Sequence, residues 1–77
     1  MSENIETRSV VLNSEPVELY KILKFEGLAD SGAQAKMIID EGLVHVNAEV
    51  ETRRRRKIVG GDVIEFDGYR LSLSASE

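Results

Sequence analysis

The sequence predicts an α+β domain: two packed helices on one side of a small bent antiparallel sheet. Three observations carry that prediction. Apolar residues recur at helical spacing through the first half of the chain and at a spacing of two in the second half. Both helical stretches run into a glycine, Gly27 and Gly42, the residue best suited to stop a helix. Turn residues then cut the second half into short strands. The 77 residues are enough for one domain, spanning 1–77, and no more. A domain of this size buries about 60–65% of the surface its unfolded chain exposes, which leaves little volume for a deep catalytic cavity. The hydrophobic share of 42% and the charged share of 31% are those of a folded chain.

The elements follow in order. Residues 1–7 read as a loose terminus, and Arg8–Leu12 as a short strand. Pro16 stands where a helix would begin, a position at which its missing N–H costs nothing. Leu19, Ile22 and Leu23 give that helix one apolar stripe, over about residues 16–26. The second helix, about 32–41, opens on Ser31-Gly-Ala-Gln34, the spacing of a capping box. Ala35, Ile38 and Ile39 form its buried stripe. Val44 and Val46 alternate with His45 and Asn47 as a half-buried strand. A three-residue turn at Asn47-Ala48-Glu49 would place Val50 opposite Val46 on the apolar face. The next segment is extended or loop. Gly60-Gly61-Asp62 is a turn, and Val63, Ile64 and Phe66 continue as a strand. Asp67-Gly68 is a two-residue hairpin signal. Tyr69, Leu71 and Leu73 close the sheet, and residues 74–77 fray.

Composition excludes several classes of function. The chain has no Cys, so disulfides, zinc–thiolate sites and a cysteine nucleophile are ruled out. No apolar run reaches the ~18 residues that span a bilayer. The first residues are polar and acidic, unlike a secretory signal. The expectation is a soluble cytoplasmic protein with no cofactor, no membrane and no small-molecule substrate.

The strongest functional signal is Arg53-Arg54-Arg55-Arg56-Lys57, five consecutive cations in a chain of formal net charge −4. The other five Lys and Arg residues face 14 Asp and Glu residues. Positive charge is therefore concentrated in one place. Five adjacent like charges repel one another and resist burial, so the run points to an anionic partner. Arginine suits phosphate because its planar guanidinium donates two parallel hydrogen bonds. In a strand, Arg53, Arg55 and Lys57 would face one way and Arg54 and Arg56 the other.

Secondary candidates flank it. Lys21 and Lys24 are three apart and share a face of the first helix. Lys36 falls in the first turn of the second helix, where the dipole disfavours a cation, so an incoming anion would find both a side chain and free N–H groups. His45 is the sole histidine and lacks companions for a metal site. Phe66 reads as core, Tyr20 and Phe25 as helix-packing residues. Asp62 and Asp67 belong to turns. Gly60-Gly61 is not a phosphate loop, because neither Lys-Ser/Thr nor a helix follows. No nucleophile–base constellation is visible.

Leu28–Asn47 (LADSGAQAKMIIDEGLVHVN), followed at a distance by Gly61–Phe66 (GDVIEF), resembles the small RNA-binding domain first described in ribosomal protein S-four. That domain also occurs in pseudouridine synthases, tyrosyl-tRNA synthetases and heat-shock ribosome-recycling proteins. The resemblance covers about residues 16–73. It implies a helix pair on a bent antiparallel sheet, with a binding face made from both helices and the adjoining loop. Ser31, Gln34 and Lys36 match the family's RNA-facing helix start, and Arg53–Lys57 its basic loop and strand. Two positions depart from the pattern. Gly32 stands where many members carry Arg, and Asn47-Ala48 where many have Asn-Gly. Ala tolerates positive φ poorly, so a different turn is expected there.

The resulting expectation is a free-standing, non-enzymatic binder of structured RNA, ribosomal or transfer RNA, with the ribosome or its precursor as partner. Arg53–Lys57 would neutralise phosphate, and Ser31, Gln34, Lys36, Lys21 and Lys24 would fix orientation. The competing expectation is a protein-interaction module that docks the basic run on an acidic partner.

Overall fold

A computed structural model describes residues 5–76. Seven strands and two helices follow one another: β1 (Glu6–Leu12), β2 (Val17–Glu18), α1 (Leu19–Phe25), α2 (Gly32–Asp40), β3 (His45–Val46), β4 (Glu49–Val50), β5 (Lys57–Ile58), β6 (Val63–Phe66) and β7 (Tyr69–Ala75). The predicted α+β class and both helices are present. Five strands form one sheet in the order β1-β7-β6-β3-β4, and β2 pairs with β5 in a second, two-stranded sheet.

The sheet is mixed, not wholly antiparallel. β1 runs parallel to β7, with Glu6 opposite Tyr69 and Leu12 opposite Ala75. Glu6 and Thr7, expected to be loose, are strand residues, as are Ser74 and Ala75. Residues 1–4 and 77, expected to fray, lie outside the described residues. The second revision concerns Pro16. It does not open a helix; Val17 and Glu18 pair with Ile58 and Lys57 before α1 starts at Leu19. The third is the turn after Val46. It has two residues, Asn47 and Ala48, both at positive φ (53° and 72°), so Val46 faces Glu49 and Val50 is exposed. The twist of a two-residue hairpin requires that conformation, and Ala48 accepts it against its own preference. Asp67-Gly68 forms the hairpin expected of it, with Phe66 opposite Tyr69.

The core is one cluster. Leu19, Ile22 and Leu23 of α1 meet Ala35, Ile38 and Ile39 of α2 over Val46, Ile64, Leu71 and Leu73 of the sheet. Along β7 the buried Leu71 and Leu73 alternate with exposed Arg70, Ser72 and Ser74, the period of two that the sequence displays. Ser31 Oγ accepts from the Gln34 N–H (3.1 Å), so α2 is capped as predicted. The Gln34 side chain reaches back one residue further than a capping box requires, accepting from the Asp30 N–H at 2.7 Å. Asn47 and Asp62 join two segments distant in sequence. The Asn47 amide donates to the Asp62 carboxylate (3.0 Å) and accepts from the Val63 N–H (2.9 Å). Those bonds fasten the end of β3 to the start of β6.

Candidate nucleic-acid interface

The basic run does not form a strand over its length. Between β4 and β5 the chain bends, with the Arg56 N–H donating to the Arg53 carbonyl at 3.2 Å. Alternate faces therefore do not sort these side chains; their carboxylate partners do. Glu51, only 6% exposed, is the organising residue. Its carboxylate accepts from the Arg53 backbone N–H (2.9 Å), from Arg53 Nε (2.9 Å) and Nη2 (3.1 Å), and from Arg56 Nη1 (2.8 Å). The Arg53 hydrogen bonds, aided by Arg56, hold the Glu51 carboxyl at a pKa of about 2 although burial pushes the other way. Arg54 turns elsewhere and makes a fork on Asp40, the last residue of α2, at 2.9 and 2.6 Å. That bond lowers the Asp40 pKa and raises that of Arg54.

Arg55 and Lys57 are exposed, and among the described residues neither forms an ion pair. The expected ridge of five unpaired cations is thus reduced. Arg53 and Arg56 close on Glu51, Arg54 is held by an exposed carboxylate, and Arg55 and Lys57 are unengaged.

The bend is fastened to the helices by its backbone. α1 has no side-chain cap. Its first N–H groups instead donate to carbonyls of the basic segment: Leu19 to Arg56 (2.9 Å) and Tyr20 to Arg54 (3.1 Å). These two carbonyls of the bend are turned into the helix end, where the dipole welcomes them.

The remaining predicted residues divide in the same way. Lys21 lies 3.5 Å from the half-buried Glu18, while Lys24 is exposed in the last turn of α1. Lys36 is the fifth residue of α2, and its ammonium covers the Tyr20 ring at 4.6 Å from the centroid. Such a contact stabilises by about 0.5–1 kcal/mol and also positions the charge. Ser31 Oγ and Gln34 Oε1 are engaged in capping. They sit at the opposite end of α2 from Asp40 and Arg54, about 12 Å away at 1.5 Å per residue. A Cβ on Gly32 would meet Tyr20 at 3.7 Å, an ordinary contact, so this position has room for a side chain.

Sequence reading passed over Glu51 and Asp40 and misassigned Phe25. Glu51 and Asp40 look like ordinary surface acids until the fold brings arginines to them. Phe25, read as a packing residue, is 69% exposed. Among the described residues no cluster of three or more His, Cys, Asp or Glu is placed to hold a metal ion. No described helix is long and apolar enough to cross a membrane.

Comparison with known proteins matches the S4 domain model to residues 10–73. The "Putative RNA-binding protein YbcJ" of Escherichia coli is 51% identical over 59 residues, covering 77% of this chain and 84% of that one. The "Probable ribosome maturation protein RlbA" of Bacillus subtilis is 37% identical over 60 residues, covering 78% and 84%. The solution structure of YbcJ, described as revealing an alfaL motif involved in RNA-binding, superposes with a TM-score of 0.67 at 45% identity, over 97% of this chain and 92% of that chain.

Proposed function

The chain belongs to the S4 domain family, and from that premise we propose that it binds structured RNA, ribosomal or transfer RNA, through the face built by α1, α2 and the bend at residues 51–57. Its relatives named for RNA binding and for ribosome maturation support this reading. They also support the ribosome or its precursor as partner, and a cytoplasmic location is the reading that goes with it. The role is binding without catalysis. The observation that carries the proposal is the pair of unengaged cations, Arg55 and Lys57, on a bend whose backbone is fixed to the first turn of α1. Charge held on a fixed backbone meets phosphate with little ordering cost.

Arg55 and Lys57 make the first phosphate contacts in this mechanism. Arg54 joins them by leaving Asp40, because an exposed pair is weakly held and yields readily to a phosphate fork. Arg53 is clamped at one edge but still largely exposed, so its outer N–H groups remain available. Lys21, Lys24 and Lys36 extend the positive surface along the helices, and the Gln34 amide N–H₂ adds a neutral donor beside Ser31.

The test is the salt dependence of binding to purified ribosomal RNA, with transfer RNA as a second probe. Wild-type affinity falls steeply with salt. Arg55→Ala with Lys57→Ala flattens the log–log slope by about 1.4–1.8 and leaves the melting temperature unchanged, since each phosphate contact contributes roughly 0.7–0.9 to the slope. An unchanged slope rejects the assignment of these two residues. Displacement by an acidic peptide, but not by RNA of equal charge, assigns the bend to a protein partner instead.

A further inference from the structure

Beside the basic bend lies a groove between the end of α1 and the β2–β5 pair. Pro16, Val17 and Phe25 form its apolar wall, and Lys21, Lys57 and Glu18 its charged rim, around a volume of about 500 Å³. Phe25 is the last residue of α1 and is 69% exposed. It also borders an adjoining cavity of about 270 Å³ lined by Val11, Leu12 and Ile22. A phenyl ring left this open forgoes the burial that normally justifies a large apolar side chain. The rim supplies the second half of the chemistry. Glu18 pairs with Lys21 at 3.5 Å, while Lys57, its register partner across the two-stranded pair, forms no ion pair among the described residues. One positive charge remains uncompensated at the mouth of an apolar slot. A flat apolar face beside a surplus cation is complementary to a base carrying its phosphate, since unpaired bases stack on aromatic side chains while the backbone is held by charge.

We infer that this groove takes one unpaired nucleotide of the bound RNA, its base stacked on Phe25 and its phosphate held by Lys21 and Lys57. The inference rests on the RNA-binding reading above and refines it. Lys57 belongs to both surfaces, so the groove continues the phosphate-binding face. The stem of a folded RNA lies along the bend and the helices, and an extruded base turns into the groove. The same arrangement predicts a preference for interrupted helices over continuous ones, which phosphate contacts alone do not provide.

The experiment uses two RNA hairpins with identical stems, one fully paired and one carrying a single unpaired adenosine. Binding is followed by fluorescence anisotropy from a terminal dye at fixed salt. The wild-type chain is expected to prefer the interrupted hairpin. Phe25→Ala loses about tenfold in affinity for that hairpin and nothing for the paired one, while Phe25→Tyr, which keeps the ring face, retains the preference. Phe25 is exposed, and unchanged melting of both variants confirms that the fold is intact. Equal wild-type affinity for the two hairpins overturns the groove assignment and leaves phosphate binding standing. So does an equal loss on both hairpins in Phe25→Ala, which would mark a different role for the ring. Failure of the wild-type chain to bind either hairpin overturns the RNA reading and the groove with it.

Discussion

Two regions of the same five-residue run behave differently. Arg53 and Arg56 close on a buried carboxylate, whereas Arg55 and Lys57 face solvent with no carboxylate within ion-pair reach among the described residues. Cations adjacent in the chain divide into a clamp and an unpaired, solvent-facing set. The difference lies in the partner. Glu51 is nearly enclosed, so its charge must be satisfied locally, and removing a hydrogen-bonding partner from such a group is expensive. Phosphate cannot compete cheaply for arginines held that way. Arg54 stands between the two, with an ideal fork on an exposed acid. A count of positive charges therefore overstates what the run offers a ligand. The bend's five cations meet Glu51 and Asp40 within the molecule, which leaves a local excess of three.

That division breaks most visibly at Glu51. Glu51→Gln is expected to cost about 2 kcal/mol in stability, measured by urea denaturation, with a smaller effect on RNA affinity than the Arg55/Lys57 double variant. Acid sharpens the point. The Glu51 pKa in the fold, about 2, is below its ordinary 4.5. Its contribution is then complete above about pH 5 and disappears as pH falls toward 2. The stability difference between wild type and Glu51→Gln should shrink over that window; a difference that stays constant with pH would mean the carboxylate charge is not what holds the bend.

Asp40→Asn probes the intermediate case. It frees Arg54 and removes an acid from the C-terminal end of α2, where negative charge is unfavourable. RNA affinity should rise by about tenfold at low salt while the urea midpoint stays unchanged. A fall in affinity would show that Asp40 aims Arg54 at the ligand and does not compete with it. The smallest effect concerns the start of α2. Gly32→Arg has room beside Tyr20 and should raise affinity by about threefold through one added phosphate contact. No gain would place the ligand away from that helix end and wholly on the bend.

Much of the fold was legible because its signals are local. The Ser31–Gln34 cap, the glycines at 27 and 42 and the Asp67-Gly68 turn each act within a few residues, and the structure realises them. What escaped depends on distant partners. β1 joins β7 from the far end of the chain, and a parallel pairing of that kind leaves no turn to read. β2 exists because Ile58 and Lys57 arrive beside it. Ala48 adopts positive φ because the register and the Asn47–Asp62 contact demand it, against the local propensity that argued for a longer turn. The site divides the same way. The cations are obvious in the sequence, but which of them are committed to Glu51 and Asp40 is decided only when the chain closes. Phe25 was misplaced because helical spacing marks a residue as apolar without saying whether the helix turns that residue inward.

The capping of α1 by the Arg54 and Arg56 carbonyls carries a further consequence for variation. The letters at positions 54, 55 and 57 can be rewritten, because the bonds that fasten the segment come from its main chain. Its length cannot: one inserted residue would slide both oxygens away from Leu19 and Tyr20 and strip the opening turn of its acceptors. A combinatorial library aimed at new ligands should randomise these three sites at constant spacing, and deletions or insertions should be the first members to drop out.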